Sequence, residues 1–397
     1  MTSRLIVNSI RHTGASADAI TLDNSGNATF PANVTCSGTA TGFASRLQRN
    51  LIINGAMIVA QRGTSSTTNG YGSVDRFRVF FTGLDESPTQ AQADVAAGTT
   101  PYTSGFRKCL KVTNGNQTSG AGAGDYLVIR TTLEAQDIAN SGWNYTSSSS
   151  NVTFQFWIKS SVAQNFYGRL QTQDGTTYNF PFETGSLSAD TWTKITKTIP
   201  GNSNLTFNND NGGGLRVEII PFYGTDYTAS PSLDTWAAHS SSSRTPDYTS
   251  TWFTTNDATF EITGLQLEVS DSASDFEHRS FQQELTLCQR YFERIGGNGG
   301  YDPIGNGMQR ETNQSLFQSY FKAPKRAAPT VTLVGDVITT DRFSFDQVIS
   351  SLGFAITSTE GLHGRADHSS VGAQRRPIFI TSANSGTAGS ITLDAEL

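Results

Sequence analysis

The sequence predicts an all-β protein of more than one domain, and three observations carry that expectation. Charged residues make up only 16% of the chain and Ser, Thr, Asn, Gln and Gly dominate the polar remainder; this mix feeds turns and strands, whereas long helices favour Ala, Leu, Glu and Lys. Short runs in which every second residue is apolar recur between Gly, Asn and Asp clusters, the mark of strands with one buried face. A chain of 397 residues also exceeds one ordinary core, so two or three domains are expected.

Residues 1–46 read as thin extended pieces punctuated by Asn24-Ser25-Gly26-Asn27 and Pro31. Ile20, Leu22, Ala28, Phe30 and Val34 keep an even spacing across the turn, as a hairpin or extended strand would. Such a segment cannot bury its own apolar face, so it is expected to attach to a larger assembly or to copies of itself.

Between 47 and 276 the strands are dense. Leu51–Ile53 and Val74–Phe81 read as strands flanking a Thr/Ser/Asn loop. Alternation places Phe106, Leu110 and Val112 on one face, Val152, Phe154, Phe156 and Ile158 on another, and Leu215, Val217 and Ile219 on a third. Trp157 then points to the opposite, outer face of its strand. Asp174-Gly175 supplies the positive φ values of a two-residue hairpin turn. In "TFEITGLQLEVS" the apolar parity switches between Phe260/Ile262 and Leu265/Leu267/Val269, which a β-bulge at Gly264 would reconcile. Repeated short strands of this kind predict a sandwich or barrel.

Residues 277–297 form the expected connecting helix. Ser280 with Gln283 is a capping-box pair, Phe281, Leu285, Cys288, Tyr291, Phe292 and Ile295 fall on one stripe, and Gly296-Gly297 is the stop. Residues 298–397 return to strands, down to the alternating Ile391, Leu393, Ala395 and Leu397, and predict a second, smaller β domain.

Several function classes are excluded on chemistry. A formal charge of −6, without a Lys/Arg stripe, offers no phosphate footprint, so no nucleic-acid partner is expected. No apolar run approaches a signal or membrane span, so no membrane insertion is expected and the chain is made in a cytoplasm. Cys36, Cys109 and Cys288 are widely separated and read as free thiols. Nucleophile-elbow, zinc-helix and phosphate-loop motifs are missing. His363, His368 and Asp367 in "GLHGRADHSS" read as a surface loop, and Glu268, Asp271, Asp275 and Glu277 as caps and hinges rather than a glycosidase pair. The reading is therefore no enzyme, no catalytic residue, no metal and no cofactor.

Three stretches together carry a resemblance: "NLIINGAMIVAQRGTS" with "VDRF", then "VTFQFWIKSS", then "ITGLQLEVSDSASDFEHRSFQQELTLCQRYFERI". They resemble a module of tail-fibre and other virion-surface proteins of tailed bacteriophages, whose leading part is similar to carbohydrate-binding-module jelly rolls. "FKAPKRAAPTVTL" is similar to the small β domain that commonly follows, and "LIVNSIRHTGASADAITLDNSGNATF" to short attachment segments. The resemblance implies a jelly-roll β-sandwich over 47–276, a homotrimer on the virion surface, docking to other tail or capsid proteins through 1–46, and contact with a bacterial cell-surface glycan. Jelly rolls of that type often carry Gly-Asp-Phe at the first strand, the Asp helping to hold calcium; Gly55-Ala56-Met57 stands here with no carboxylate to offer.

Sugar recognition needs flat aromatic faces among amides and hydroxyls. Tyr223, Tyr227, Trp236, Tyr248 and Trp252, spread through an irregular stretch rich in Ser, Thr, Asp and Pro, are the candidate glycan contacts. Trp143, Trp157 and Trp192 read as packing. The rival is a purely architectural virion protein, a capsid fibre or decoration protein, that uses the same aromatics between subunits and binds no sugar.

Overall fold

The computed structural model describes residues 7–11, 13–14, 16–25, 28–29, 49–370, 375–384 and 388–397, with the backbone alone for 354–356. The chain divides into two units, Met1–Leu47 and Gln48–Leu397. In the first, β1 (Ser9–Ile10), β2 (Ile20–Leu22) and β3 (Ala28–Thr29) form an antiparallel sheet in which Leu22 faces Ala28 across the hairpin. Phe30 and Val34, the rest of the expected spacing, lie outside the described residues.

The second unit opens with β4 (Ser65–Ser66), β5 (Arg78–Thr82), β6 (Thr89–Asp94), α1 (Thr100–Thr103), β7 (Lys108–Thr113), β8 (Tyr126–Glu134) and α2 (Ala135–Ala139). Then come β9 (Asn151–Ser160), β10 (Asn165–Thr172), β11 (Tyr178–Ser186), β12 (Thr193–Pro200), β13 (Gly213–Tyr223), β14 (Ala237–Ala238), α3 (Thr251–Thr254) and β15 (Thr259–Glu268). They build an all-β jelly-roll sandwich of two six-stranded sheets, ordered β12-β9-β15-β7-β6-β4 and β14-β11-β10-β13-β8-β5.

Alternation explains the core. Val152, Phe154, Phe156 and Ile158 of β9, and Leu215, Val217 and Ile219 of β13, point between the sheets and are buried. Phe154 stacks on Phe156 at 5.0 Å and meets Phe182 of the facing sheet edge-on. Each such side chain contributes about 1.5–3 kcal/mol of burial. The register of β15 on β9 slips between Thr263 and Gln266, and Gly264 has φ +67°, so the bulge turns both Phe260/Ile262 and Leu265/Leu267 inward.

After the sandwich α4 (Phe281–Gln289) begins with the expected capping box: Ser280 Oγ accepts from the Gln283 N–H while the Gln283 side chain accepts from the Ser280 N–H. The helix then ends at Gln289, earlier than its apolar stripe suggested. Phe292 and Ile295 belong to β16 (Phe292–Gly296), because pairing with a strand at the far end of the chain overrides the local 3.6-residue pattern. The remaining strands are β17 (Pro303–Glu311), β18 (Gln314–Tyr320), β19 (Thr330–Val334), β20 (Val337–Thr340), β21 (Asp346–Thr357), β22 (Gly361–His368), β23 (Pro377–Ser382) and β24 (Ser390–Asp394). Six close into a barrel in the order β17-β18-β22-β21-β20-β23, and β24 is the middle strand between β16 and β19.

Other local expectations are corrected. Leu51–Ile53 is a turn rather than a strand, and only Arg78 onward of the Val74–Phe81 stretch pairs. The Asp174-Gly175 hairpin has a longer loop, with Gln171 facing Asn179 and positive φ at Gly175 alone of the two. Residues 361–368 form β22, not a surface loop; His368 is buried, its Nε2 3.0 Å from Ser315 Oγ. Phe106 lies ahead of β7, so it leaves the face of Leu110 and Val112 and joins a cluster outside the sandwich.

Candidate functional site

The outer face of the first sheet carries a recess of ligand size. Its floor includes Lys194 of β12, which faces Trp157 of β9, with Gly264 of β15 beside them; in the sheet Trp157 also faces Thr263 of β15. The adjacent row holds Thr196, Gln155 and Gln266. Two walls rise from this floor. One is the turn after α1, Thr103 to Phe106; the other is the segment that returns over the sheet after β15, Asp275 to His278. Together they enclose a cleft of about 510 Å³, within the range of small-ligand sites.

Hydrogen bonds fix the returning wall. Buried Glu268 accepts from the Ser274 N–H at 2.9 Å and Ser274 Oγ at 2.6 Å, Gln266 Oε1 accepts from the Glu277 N–H at 2.8 Å, and the Asn50 N–H donates to Glu277 Oε2 at 2.7 Å. Glu268 and Glu277 are thus tied into structure. Asp271 accepts from Asn151 Nδ2 at 2.7 Å.

Aromatic groups shape the interior. Phe106 meets Phe276 edge-on at 4.8 Å and His278 at 5.0 Å, with Phe276 4.9 Å from His278. Trp157 is half-buried beside them. Glycine at 264 permits this closeness, since a Cβ there would stand 2.7 Å from Phe106 Cζ and 3.1 Å from Trp157 Cδ1. His278 Nε2 lies 3.0 Å from the Ser104 carbonyl, which can only accept, so Nε2 carries a proton and donates.

Polar capacity in the cleft is only partly used. The Gln155 amide donates to the Ser274 carbonyl at 2.7 Å, yet its buried Oε1 has no partner among the described residues. Lys194 and Asp275 are exposed, and neither side chain has a hydrogen bond or ion pair among the described residues. Beside the cleft Trp192 is nearly buried with the Lys159 ammonium 5.2 Å from its ring, and its indole N–H is also unpartnered. The arrangement offers an aromatic surface, one carboxylate and one ammonium to a polar guest. Among the described residues no group of three or more His, Cys, Asp and Glu side chains is placed to hold a metal ion.

The five residues expected to contact glycan are elsewhere, and three have no face to offer. Trp252 of α3 is fully buried, edge-on to Phe260 at 5.9 Å, with its N–H donating to the Thr259 carbonyl at 3.0 Å. Trp236 packs on Phe180 at 5.4 Å and donates to the Pro200 carbonyl at 2.7 Å. Tyr223 is buried on the outer face of the second sheet with Val128 and Ile220. Tyr227 and Tyr248 remain partly exposed in that layer, with the Arg244 guanidinium 4.5 Å from the Tyr227 ring. An irregular segment crossing a sandwich uses its aromatics as plugs, so irregularity alone does not signal exposure. The sequence reading missed the cleft although its signal was present: Trp157 has outward parity in a strand whose inward positions from 152 to 158 are all Val, Phe or Ile.

No family model matches the chain, and no curated protein matches it. Among solved structures it is similar to the enzymatically active domain of tailspike protein 4 of bacteriophage CBA120, at 11% identity and TM-score 0.30, over 56% of this chain and 22% of that one. It spans less than a quarter of that tailspike. It is also similar to a putative sugar-binding protein of Bacteroides thetaiotaomicron, at 12% identity and TM-score 0.27, over 56% of this chain and all of that one. A CBM4 carbohydrate-binding module aligns over 55% of this chain and 98% of its own, at 11% identity and TM-score 0.28. Similarities this slight carry no argument about the activity of this chain.

Proposed function

We propose that the protein is a virion-surface fibre protein of a tailed bacteriophage that contacts a bacterial surface glycan through the cleft on the first sheet. The observation that carries the reading is the cleft's pairing of an aromatic surface, Trp157 with Phe276, with the exposed, unpartnered side chains of Lys194 and Asp275. A pyranose has an apolar C–H face that stacks on aromatic rings and a rim of hydroxyls that both donate and accept. Affinity at one site is expected to be modest, and a trimer, with residues 1–46 attached to another virion protein, would multiply it through avidity.

The test is adsorption of labelled protein to bacterial cells with and without periodate oxidation of their glycans, for the native chain and Trp157→Ala. Saturable binding that is lost on oxidation and weakened at least tenfold by the substitution is expected. Binding unaffected by the substitution, or none by a folded native protein, would overturn the reading.

The architectural alternative rests on a separate observation, the outer surface of the barrel. Met308 of β17 faces Leu316 of β18 directly, and Phe379 of β23 and Tyr320 of β18 are exposed nearby. Apolar side chains on an outward sheet face suit burial against another protomer.

A further inference from the structure

The outer face of the second sheet concentrates positive charge. Strand register sets a single row: Arg78 of β5 faces Arg130 of β8, Arg130 faces Glu218 of β13, and Glu218 faces Arg169 of β10. Arg216 shares the face with Glu218, two residues earlier on β13, and lies opposite Thr132 and Gln171. Four guanidiniums therefore surround one carboxylate, on a chain whose net charge is −6.

That carboxylate is already fully used. Arg130 Nε holds one Glu218 oxygen at 2.6 Å, Arg169 Nε holds the other, and Glu218 is completely buried. Burial alone would push its carboxyl up, but the two guanidiniums override this and hold it at about 2. Nothing anionic is left for the other two arginines. Arg78 has no hydrogen bond or ion pair among the described residues, its guanidinium resting 5.3 Å from the Phe80 ring, which also receives Arg130 at 4.2 Å. Arg216 donates only to Gln171 Oε1 at 3.3 Å, and its buried Nε has no partner among the described residues. Burial and then the repulsion of Arg130 lower its pKa to about 10.

Like charges directly opposed across strands are destabilising, and guanidinium N–H groups in a fixed fork match the oxygens of phosphate, sulfate and carboxylate. Arg78, Arg130 and Arg216 are each partly exposed, so a solute can reach them. We propose that these three arginines form a seat for an oxyanion, free or carried on a phosphorylated, sulfated or uronic sugar. The site stands on the opposite sheet from the cleft and does not depend on the cleft's reading.

The experiment is thermal unfolding of the full chain at fixed ionic strength, titrated separately with inorganic phosphate, sulfate, glucose 6-phosphate, glucuronate and chloride. A saturable rise in Tm with at least one oxyanion, above the chloride control, is expected, and the ranking identifies the source. Arg78→Gln and Arg216→Gln should each weaken the apparent affinity at least tenfold, while exposed Arg365→Gln on the barrel leaves it unchanged. Without added oxyanion, Arg78→Gln should unfold at the same or a higher temperature than the native chain because repulsion is relieved. Equal responses to chloride and to every oxyanion, or an oxyanion response that survives both substitutions, would overturn the proposal; so would a lower Tm of Arg78→Gln without oxyanion, the mark of a purely structural arginine.

Discussion

Replacing Gly264 with alanine tests the cleft and the bulge together. The position has φ +67°, which costs a residue with a Cβ roughly 1–2 kcal/mol. The new Cβ would also stand 2.7 Å from Phe106 Cζ and 3.1 Å from Trp157 Cδ1, and overpacking of that kind costs about 1–3 kcal/mol more. The sum is about 2–5 kcal/mol. Gly98→Ala is the matched control, because it has φ +83° with nothing within 4 Å and should pay only the conformational part, about 1–2 kcal/mol. Urea unfolding of the two variants beside the native chain isolates the packing contribution. A Gly264→Ala loss no larger than that of Gly98→Ala would mean that Phe106 and Trp157 yield freely, and the argument that the cleft is a rigid, preformed surface would fall.

Glu218→Gln should cost about 3–5 kcal/mol in denaturant unfolding, since it leaves the buried guanidinium of Arg169 and the partly exposed one of Arg130 without their counter-charge; a loss below 1 kcal/mol would refute that balance. Trp252→Ala should cost about 3–5 kcal/mol, as for any fully buried tryptophan, while Trp157→Ala changes stability far less and removes binding instead. Ser280→Ala should cost about 1 kcal/mol by breaking the capping box, measured the same way. Two carboxyls set opposing pH trends. Glu218 is held at about 2 against an ordinary 4.5, so its contribution is complete above pH 4.5 and is lost as pH falls toward 2. Asp75 is raised from 3.8 to about 6 by burial, so its contribution is complete below pH 3.8 and disappears as pH rises through 6, an effect of about 3 kcal/mol that Asp75→Asn should abolish in a pH series of unfolding free energies.

The strands were legible where one face is buried and the other is not. In β9 the inward positions 152, 154, 156 and 158 are all apolar, and the parity switch at Gly264 is enough to locate the bulge. Legibility failed where the partner is remote in sequence. Tyr291, Phe292 and Ile295 continue a helical stripe perfectly well, and only β24, a hundred residues later, draws Phe292 and Ile295 into a sheet. The same remoteness hid β22, whose polar sequence "GLHGRADH" becomes a strand because β18 and β21 flank it in a closed barrel, with no free edge to expose.

The sites divide along the same line. Aromatic residues in irregular sequence looked like a binding surface because local sequence reports irregularity, not what lies underneath; Trp236 and Trp252 turned out to fill the sandwich. Both proposed sites instead come from outward positions of regular strands, Trp157 with Lys194 on one sheet and Arg78 with Arg130 on the other. Each residue taken alone reads as ordinary half-exposed strand decoration. What makes them sites is lateral register across strands distant in the chain, which aligns Lys194, Trp157 and Thr263 in one row and Arg78, Arg130, Glu218 and Arg169 in the other. Inward parity is enforced by the core and is readable one strand at a time; outward chemistry becomes visible only once the order of the strands is known.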